Sequence, residues 1–300
     1  MASQTPHHSY RYRVVDVFTT EPLEGNQLAV FPDAFGLNDC LMQRLAKELN
    51  LAETVFILPA KRPDCAAALR IFTPAREMPF AGHPTIGASY VLRELGMVAP
   101  DAERFVLEEK AGPIRVRVEA AECGRPMIWL MTPPISIGKP FDRAQCATLL
   151  GLDPEDLLDV PPELVGAGNP AVFIAVRDKA AVDRASLDAR GLAELQGKRR
   201  ESFFAFVFTP TPAGAYSRMF APHHGVAEDP ATGSATGPLA AYMMRHKLAP
   251  SADGTRFVSE QGTKMGRRSL LHILVHGEQG AGGIEVGGFV TPVIEAAISF

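Results

Sequence analysis

Short apolar runs, each bounded by turn residues, recur along most of the chain. They are rich in β-branched and aromatic residues, a composition that favours strands. The runs predict strands at Arg13–Phe18, Val55–Leu58, Leu69–Thr73, Ile114–Val118, Met127–Met131, Val172–Val176, Phe203–Phe208 and Leu270–His276. The pattern therefore indicates a protein built mainly from sheet.

Helical signals are fewer, and four segments carry them. Asn38 can cap a helix whose leucines recur at four-residue spacing, and Asp142 can cap a second helix that ends at Gly151. Pro84 and Pro230 each suit the first position of a helix, where the missing N–H costs nothing. The two proline-led helices are apolar around much of their circumference, which indicates burial on several sides. A sheet wrapped around a central helix would satisfy that pattern.

The two proline-led helices lie in a segment that occurs twice. Arg-Ile-Phe-Thr-Pro precedes one helix and Arg-Met-Phe-Ala-Pro precedes the other. Matched residues lie 143 to 148 positions apart: Gly25-Asn26 with Gly168-Asn169, Pro84 with Pro230, and Phe72 with Phe220. A period this long points to two similar domains and is far too long for a solenoid. Two such helix starts facing each other would enclose one site between the domains.

Length and local composition place the boundary between these domains. Three hundred residues allow two domains that each bury a core. Cys123-Gly124-Arg125-Pro126 interrupts two strand runs. We expect an N-terminal half over residues 1–124, completed by the last residues at about 287–300, and a C-terminal half over residues 125–286.

Composition excludes several classes of protein. An apolar content of 46% with 21% charged residues is that of a soluble globular protein. A net charge of -4 gives no electrostatic case for binding nucleic acid or anionic membranes. No apolar run approaches the ~20 residues of a membrane span, and residues 1–10 lack an apolar signal core. The four cysteines are scattered, with no C-x-x-C pair, so we expect reduced thiols in a cytoplasmic protein.

The repeated helix starts are candidates for binding an anion. Such starts carry unpaired N–H groups and a partial positive charge. Gly82 would let a ligand approach the backbone, and His83 could donate to a carboxylate or move a proton, although both residues could simply form a turn. Asp229 stands at the matching place in the second copy and could hold an ammonium or hydroxyl group, or only cap the helix. The amides of Gly233 and Ser234 could bind a carboxylate, or the two residues could serve only packing.

Glu53 is the candidate acid/base. With strand alternation it shares a face with Val55 and Ile57, so its carboxyl would lie near an apolar interior. Such a carboxyl has a raised pKa and can act as general acid and base near neutral pH. The alternative is that Glu53 lies at the exposed start of its strand.

No motif for a metal or cofactor emerges. His223-His224 lacks a third ligand at a recognisable spacing. The glycine-rich segment over residues 280–288 is not followed by a strand-to-helix unit, so it does not fit a dinucleotide site. We expect neither metal nor cofactor.

Several stretches together resemble a known family. They are Asp16–Thr19, Gly25–Val30, Ala52–Phe56, Arg70–Pro74, Glu77–Thr85, Phe220–Pro222, Glu228–Ala235, Gln261-Gly262 and Met265–Arg267. The specific strings are Glu-x-Pro-Phe-x-Gly-His-Pro-Thr and Glu-Asp-Pro-x-Thr-Gly-Ser. The chain resembles the PhzF-like family of phenazine biosynthesis, within the diaminopimelate-epimerase-like fold.

The resemblance implies an α+β protein of two pseudo-symmetric domains, each a β-barrel-like sheet around a central helix. It implies a cofactor-independent isomerase, and the best-known member shifts a proton within a dihydro-hydroxyanthranilate ring. It assigns the acid/base role to Glu53, substrate binding to His83, Asp229 and Ser234, and a homodimer as the assembly. The related two-thiol racemases place cysteines at the helix starts, where this chain has Gly82-His83 and Asp229.

The chain departs from the family near these motifs. Gln27 and Arg268 stand where proline is common, and the segment over residues 236–238 differs from members with a histidine there. The leading hypothesis is an isomerase of a small carboxylate-bearing substrate, with Gly82, His83, Asp229, Gly233 and Ser234 around it. The alternatives are an amino-acid racemase or epimerase of the same fold and a catalytically silent ligand-binding protein.

Overall fold

The fold is a single connected sheet with two buried central helices. A computed structural model describes residues 9–120, 124–197, 202–222 and 225–299. The first elements are β1 (Ser9–Val17), β2 (Asn26–Phe31), α1 (Asp39–Leu49), β3 (Glu53–Leu58), β4 (Ala67–Phe72), β5 (Glu77–Met78), α2 (Gly82–Glu94), β6 (Arg104–Glu109), β7 (Gly112–Ala120) and β8 (Pro126–Met131).

The remaining elements repeat this order with two added helices. They are β9 (Ser136–Pro140), α3 (Arg143–Leu149), β10 (Glu163–Gly166), β11 (Pro170–Ala175), α4 (Lys179–Arg184), α5 (Ala189–Gln196), β12 (Phe204–Thr211), β13 (Gly214–Ala221), β14 (Val226–Asp229), α6 (Gly233–Arg245), β15 (Arg256–Gln261), β16 (Ser269–His276), β17 (Gly283–Gly288) and β18 (Val290–Ser299). Each of the eight predicted strands corresponds to one of these strands, with its ends shifted by a few residues.

Strand pairing shows that the two parts of the chain are built alike. β1–β2, β3–β4, β6–β7 and β7–β8 pair antiparallel, whereas β2–β3 and β4–β6 pair parallel. β10–β11, β12–β13, β15–β16 and β16–β17 repeat the antiparallel pairs, and β11–β12 and β13–β15 repeat the parallel ones. We call β1–β8 with β18 the first half and β9–β17 the second half. The pairing confirms the predicted pseudo-symmetric α+β fold.

Three further pairings close the halves and join them. β18 pairs with β1 along its length, β9 pairs with β10, and β8 pairs with β17 across the junction. The limits expected from the sequence, residues 1–124 with about 287–300 and residues 125–286, stay a prediction. Cys123 of the expected boundary lies outside the described residues.

Each half buries its central helix, as the apolar pattern predicts. Ile86, Val91 and Leu92 of α2 pack in one apolar core with strands of the first half. Leu239 and Met243 of α6 pack in a second core with strands of the second half. Of the helices in the described part of the chain, none is long and apolar enough to cross a bilayer.

The helix caps confirm two predictions and correct two others. The side chains of Asn38 and Asp142 accept hydrogen bonds from the starts of α1 and α3, as predicted. However, α2 begins at Gly82, two residues before Pro84, and α6 begins after Thr232, three residues beyond Pro230. Placing each proline at the first helical position was therefore wrong. A proline at the third position is tolerated for the same reason as at the first, because neither N–H has a partner within the helix.

The corrected helix starts change which residues correspond in the two halves. Because both helices begin with glycine, Gly82 corresponds to Gly233 and His83 to Ser234, 151 residues apart. Strand registers place Asp229 differently. Ile71 pairs with Met78, and Met219, which corresponds to Ile71, pairs with Asp229. Asp229 therefore corresponds to Met78, and matching it to His83 through the prolines was wrong.

Candidate functional site

The N-termini of the two central helices meet where the halves face each other. A Cβ atom added to Gly82 would lie 3.1 Å from the carbonyl carbon of Gly233 and from the amide nitrogen of Ser234. A Cβ atom on Gly233 would lie 3.3 Å from the amide nitrogen of His83. Glycine at both helix starts is therefore what allows the two backbones to approach.

A small cavity of about 60 Å³ lies at this junction, and both halves line it. Its walls include all six residues singled out in the sequence, namely Glu53, Gly82, His83, Asp229, Gly233 and Ser234. Apolar side chains such as Met78 and Phe204 form other parts of the wall. The structure thus brings together residues that lie up to 181 positions apart in the sequence.

Four backbone amides at the helix starts are open to a ligand. The N–H groups of Gly82, His83, Gly233 and Ser234 donate to no acceptor among the described residues. The first N–H groups of a helix have no partner within it, and the helix dipole makes that end attractive to anions. Two helices direct such ends to one cavity, an arrangement suited to holding a carboxylate.

Glu53 lies at the start of β3 and is nevertheless mostly enclosed. Its side chain is only 18% exposed, and its Oε2 lies 3.4 Å from Nε2 of His83. Burial, and then the negative charge of Asp229, raise the pKa of Glu53 to about 8. Glu53 therefore lies at the start of its strand, as one interpretation of the sequence had it, and is enclosed, as the other had it. A carboxyl with this pKa can hold and release a proton near neutral pH.

His83 is a buried and neutral imidazole. Burial lowers its pKa to about 3, and a hydrogen bond with the backbone of Gln27 opposes this only in part. Its Nδ1 lies 3.4 Å from the side-chain amide nitrogen of Asn26. At neutral pH the ring therefore carries no charge, and its buried Nε2 makes no hydrogen bond to a described residue.

Asp229 is held by a set of donors. Its Oδ1 accepts from Asn26 Nδ2 at 2.8 Å, and its Oδ2 accepts from Thr232 Oγ1 at 2.6 Å. Burial raises the pKa of Asp229 to about 6, against the lowering effect of the bonds from Thr232, Asn26 and the Ala231 backbone. The alternative that Asp229 caps the helix was wrong, because Thr232 is the N-cap residue of α6.

Three residues that support this site were not singled out as site residues in the sequence. Asn26 joins the halves through Asp229 and through the carbonyl oxygen of Ala231 at 2.9 Å. Gln261 donates to the Asp229 carbonyl oxygen at 2.7 Å and accepts from the Thr232 N–H. Arg267 binds the carbonyl oxygens of Glu24 and Gly25, next to Asn26. Asn26, Gln261 and Arg267 all lie within the family-like stretches, which was the available signal.

The described residues contain no group of three His, Cys, Asp or Glu side chains placed to bind one metal ion. His223 and His224 lie outside the described residues. The arrangement around Glu53 thus offers proton transfer and anion binding from side chains and backbone amides.

An α+β sheet built twice, with a glycine helix start from each half at a shared cavity, defines a class of two-halved proteins with one site between the halves. Residues 15–296 match the family described as phenazine biosynthesis-like protein. The chain belongs to that family.

Named relatives agree with this assignment. The chain is 36% identical to a trans-2,3-dihydro-3-hydroxyanthranilate isomerase of Pseudomonas aeruginosa, over 93% of this chain and 95% of that protein. A Bacillus anthracis phenazine biosynthesis protein of the PhzF family shares the fold with a TM-score of 0.86 and 25% identity, covering 97% and 99% of the two chains. A predicted epimerase of Pseudomonas aeruginosa shares it with a TM-score of 0.81 and 34% identity, covering 96% and 99%.

Proposed function

We propose that this protein is a cofactor-independent isomerase that moves a proton between two carbons of a small carboxylic acid. The observation that carries the proposal is Glu53, an enclosed carboxyl with a pKa near 8 beside four open helix-start amides. A group with this pKa matches the requirement for an acid/base that both takes and returns a proton.

The steps follow from the geometry. The substrate carboxylate is held by the amides of Gly82, His83, Gly233 and Ser234, which orients the reacting carbon towards Glu53. Ionised Glu53 takes a proton from carbon, and the electron pair left behind spreads into the conjugated acid. The helix-start amides stabilise the negative charge that develops. Glu53 then returns the proton to a different carbon, so atoms and charge balance without a co-reactant.

The neighbours of Glu53 have different tasks. Nε2 of neutral His83 lies 3.4 Å from Oε2 of Glu53 and has no hydrogen-bond partner among the described residues, so it can bond the Glu53 carboxyl or the substrate during the reaction. Asp229 carries negative charge near neutral pH and can accept from a substrate N–H or O–H group. The name of the Pseudomonas aeruginosa relative supplies the first substrate to test, trans-2,3-dihydro-3-hydroxyanthranilate.

The test compares two buried glutamates. Glu53→Gln should fold normally, and its turnover should fall by about 10²–10⁴-fold with loss of deuterium incorporation from D2O. Glu109→Gln is the matched control, because burial also raises the pKa of Glu109 to about 8 although the residue does not line the cavity. Turnover and deuterium incorporation retained by Glu53→Gln would remove Glu53 from the mechanism.

A second candidate is an epimerase, favoured by the presence of a second titratable carboxyl in the same cavity. Asp229 has a pKa of about 6, and its charge raises the pKa of Glu53, so the two carboxyls are close enough to interact. Two such groups on opposite faces of a carbon could remove and replace a proton with inversion. Chiral chromatography of amino acids and hydroxy acids after incubation in D2O separates this activity from isomerisation.

The proposal requires neither metal nor cofactor, so activity should survive EDTA followed by dialysis. We also propose a homodimer in the cytoplasm, on the basis of the family resemblance. Light scattering coupled to size-exclusion chromatography measures the assembly, with twice the 32.3 kDa chain mass expected.

A further inference from the structure

Two asparagines occupy equivalent positions in the two halves. Asn26 begins β2, and Asn169 directly precedes β11. The glycine before each has a positive φ, 68° for Gly25 and 95° for Gly168. Strand pairing fixes the correspondence, because Leu28 pairs with Glu53 as Ala171 pairs with Phe204. Both asparagines are therefore placed by the same local structure.

Both side-chain N–H groups of Asn26 are used within the protein. The residue is only 1% exposed, and its Nδ2 donates to Oδ1 of Asp229 at 2.8 Å and to the Ala231 carbonyl oxygen at 2.9 Å. Both acceptors belong to the second half. Asn26 is thus a structural brace across the junction.

Asn169 has no such partners. It lines the same cavity as Glu53, and its side chain makes no hydrogen bond to any described residue. Pseudo-symmetry gives the reason. The first-half counterpart of Asp229 is Met78, which also lines the cavity and whose thioether is only a weak acceptor. The position that holds the carboxylate bonded to Asn26 is therefore occupied by a methionine in the other half.

Asn169 is also within reach of a ligand. The residue is only half-buried, and it lines a neighbouring cavity of about 530 Å³ on its other side. The wall of the shared cavity also contains apolar side chains, among them Met78, Phe204 and Met219. A polar substrate atom that packs against such side chains loses its water, and a hydrogen bond from the Asn169 amide would compensate for that loss.

We propose that Asn169 is a specificity-determining residue whose amide donates to a second oxygen of the substrate, remote from the carboxylate. The inference rests on the proposed function, because it assumes a substrate carboxylate at the helix starts. It narrows the substrate class to small acids with an additional hydroxyl or carbonyl oxygen. Acids that lack this oxygen should bind without contacting Asn169.

Three stable aromatic probes test this by isothermal titration calorimetry. 3-Hydroxyanthranilate and anthranilate share a carboxylate and differ by one hydroxyl, and 2-aminophenol keeps the hydroxyl without the carboxylate. Wild type should bind 3-hydroxyanthranilate about 5-fold more tightly than anthranilate, as expected for one neutral hydrogen bond. Asn169→Ala, and Asn169→Leu of similar volume, should remove this preference and leave anthranilate binding unchanged.

Asn26→Ala is the symmetric contrast, and it should weaken both acids alike because it releases Asp229. A preference that survives in Asn169→Ala, an equal loss for both acids in that variant, or no preference in wild type would overturn the role of Asn169 and leave the proposed function standing. If neither acid binds more tightly than 2-aminophenol, the carboxylate site itself fails. The proposed function is then overturned together with the role of Asn169.

Discussion

Glu53 and Phe204 occupy the same position in the two halves. Each begins the strand that pairs parallel to the repeated β2-type strand, Glu53 opposite Leu28 and Phe204 opposite Ala171. Both line the cavity. The duplicated backbone therefore presents a carboxyl at this position in one half and an aromatic ring in the other. This difference is the structural reason to favour a proton shift by a single group.

The coupling of Glu53 with Asp229 predicts how the pair titrates. The negative charge of Asp229 raises the pKa of Glu53, so Asp229→Asn should lower that pKa from about 8 towards its ordinary value. Most of the elevation comes from burial and should remain. Titration of ¹³C-labelled side-chain carboxyls by NMR measures this without any substrate. An unchanged or higher Glu53 pKa in Asp229→Asn would show that the two carboxyls do not interact.

The close approach of the helix starts predicts a large effect from one methyl group. Gly82→Ala would place Cβ 3.1 Å from backbone atoms of Gly233 and Ser234, which must move apart. We expect turnover to fall by about 10²-fold because the carboxylate amides are misplaced. We also expect the free energy of unfolding to fall by about 1–3 kcal/mol, measured by urea denaturation.

The control for Gly82→Ala is Ser234→Ala, which adds no atom at the junction and keeps the backbone amide. It should cost less turnover than Gly82→Ala. Equal losses would indicate that the hydroxyl of Ser234, and not the spacing of the helices, governs binding.

The buried ion pair of Arg267 predicts that its loss destabilises the protein more than the loss of its neighbour Arg268. Its Nη2 lies 2.5 Å from Oδ1 of Asp16, a carboxyl with a side chain only 2% exposed. Arg267→Met leaves that charge buried without its partner, which costs about 3–5 kcal/mol of unfolding free energy. Arg268→Met removes only an exposed pair with Glu260 and should cost less than about 1 kcal/mol. Similar losses of unfolding free energy for both variants, measured by urea denaturation, would contradict a stabilising role for the pair of Arg267 and Asp16.

Glu109 predicts that stability depends on pH. Thr85 Oγ1 lies 2.5 Å from Glu109 Oε1 and 2.8 Å from the Ala81 carbonyl oxygen. Its single hydrogen serves one of them, so a protonated Glu109 completes both bonds. Burial raises the pKa of Glu109 from 4.5 to about 8. Between these values the unfolded chain releases a proton that the folded chain keeps, so stability falls as pH rises.

Glu109→Gln removes this dependence and can still donate to Thr85. The variant should match wild type near pH 4 and exceed it at pH 8 by on the order of a few kcal/mol in unfolding free energy. Glu53 contributes in the same direction, so Glu109→Gln flattens the profile only in part. Unfolding free energies are measured by urea denaturation from pH 4 to pH 8. If they depend on pH in the same way in both proteins, Glu109 ionises in the folded state as it does in the unfolded chain.

Local pattern was sufficient for much of the fold. The caps of α1 and α3 at Asn38 and Asp142 follow from short polar side chains that bond the next turn, and these are local interactions. The strands and the two apolar helices were likewise predicted from the spacing of apolar residues. The helix starts were misplaced for two reasons: Pro84 lies at the third helical position, which suits a proline as well as the first, and Pro230 lies before its helix begins. Because the prolines were matched, Asp229 was assigned to His83 and not to Met78.

The amino-acid sequence by itself determined a duplicated α+β frame and pointed to the candidate site residues, because strands, helices and motifs depend on residues that are close together in the chain. Only the tertiary structure decided that Asp229 corresponds to Met78 and that Asn26 is used while Asn169 is free. It also decided the protonation of Glu53, since the pKa of that carboxyl depends on its burial and on the charge of Asp229. Register and burial are long-range properties, and they exist only when the two halves are folded against each other.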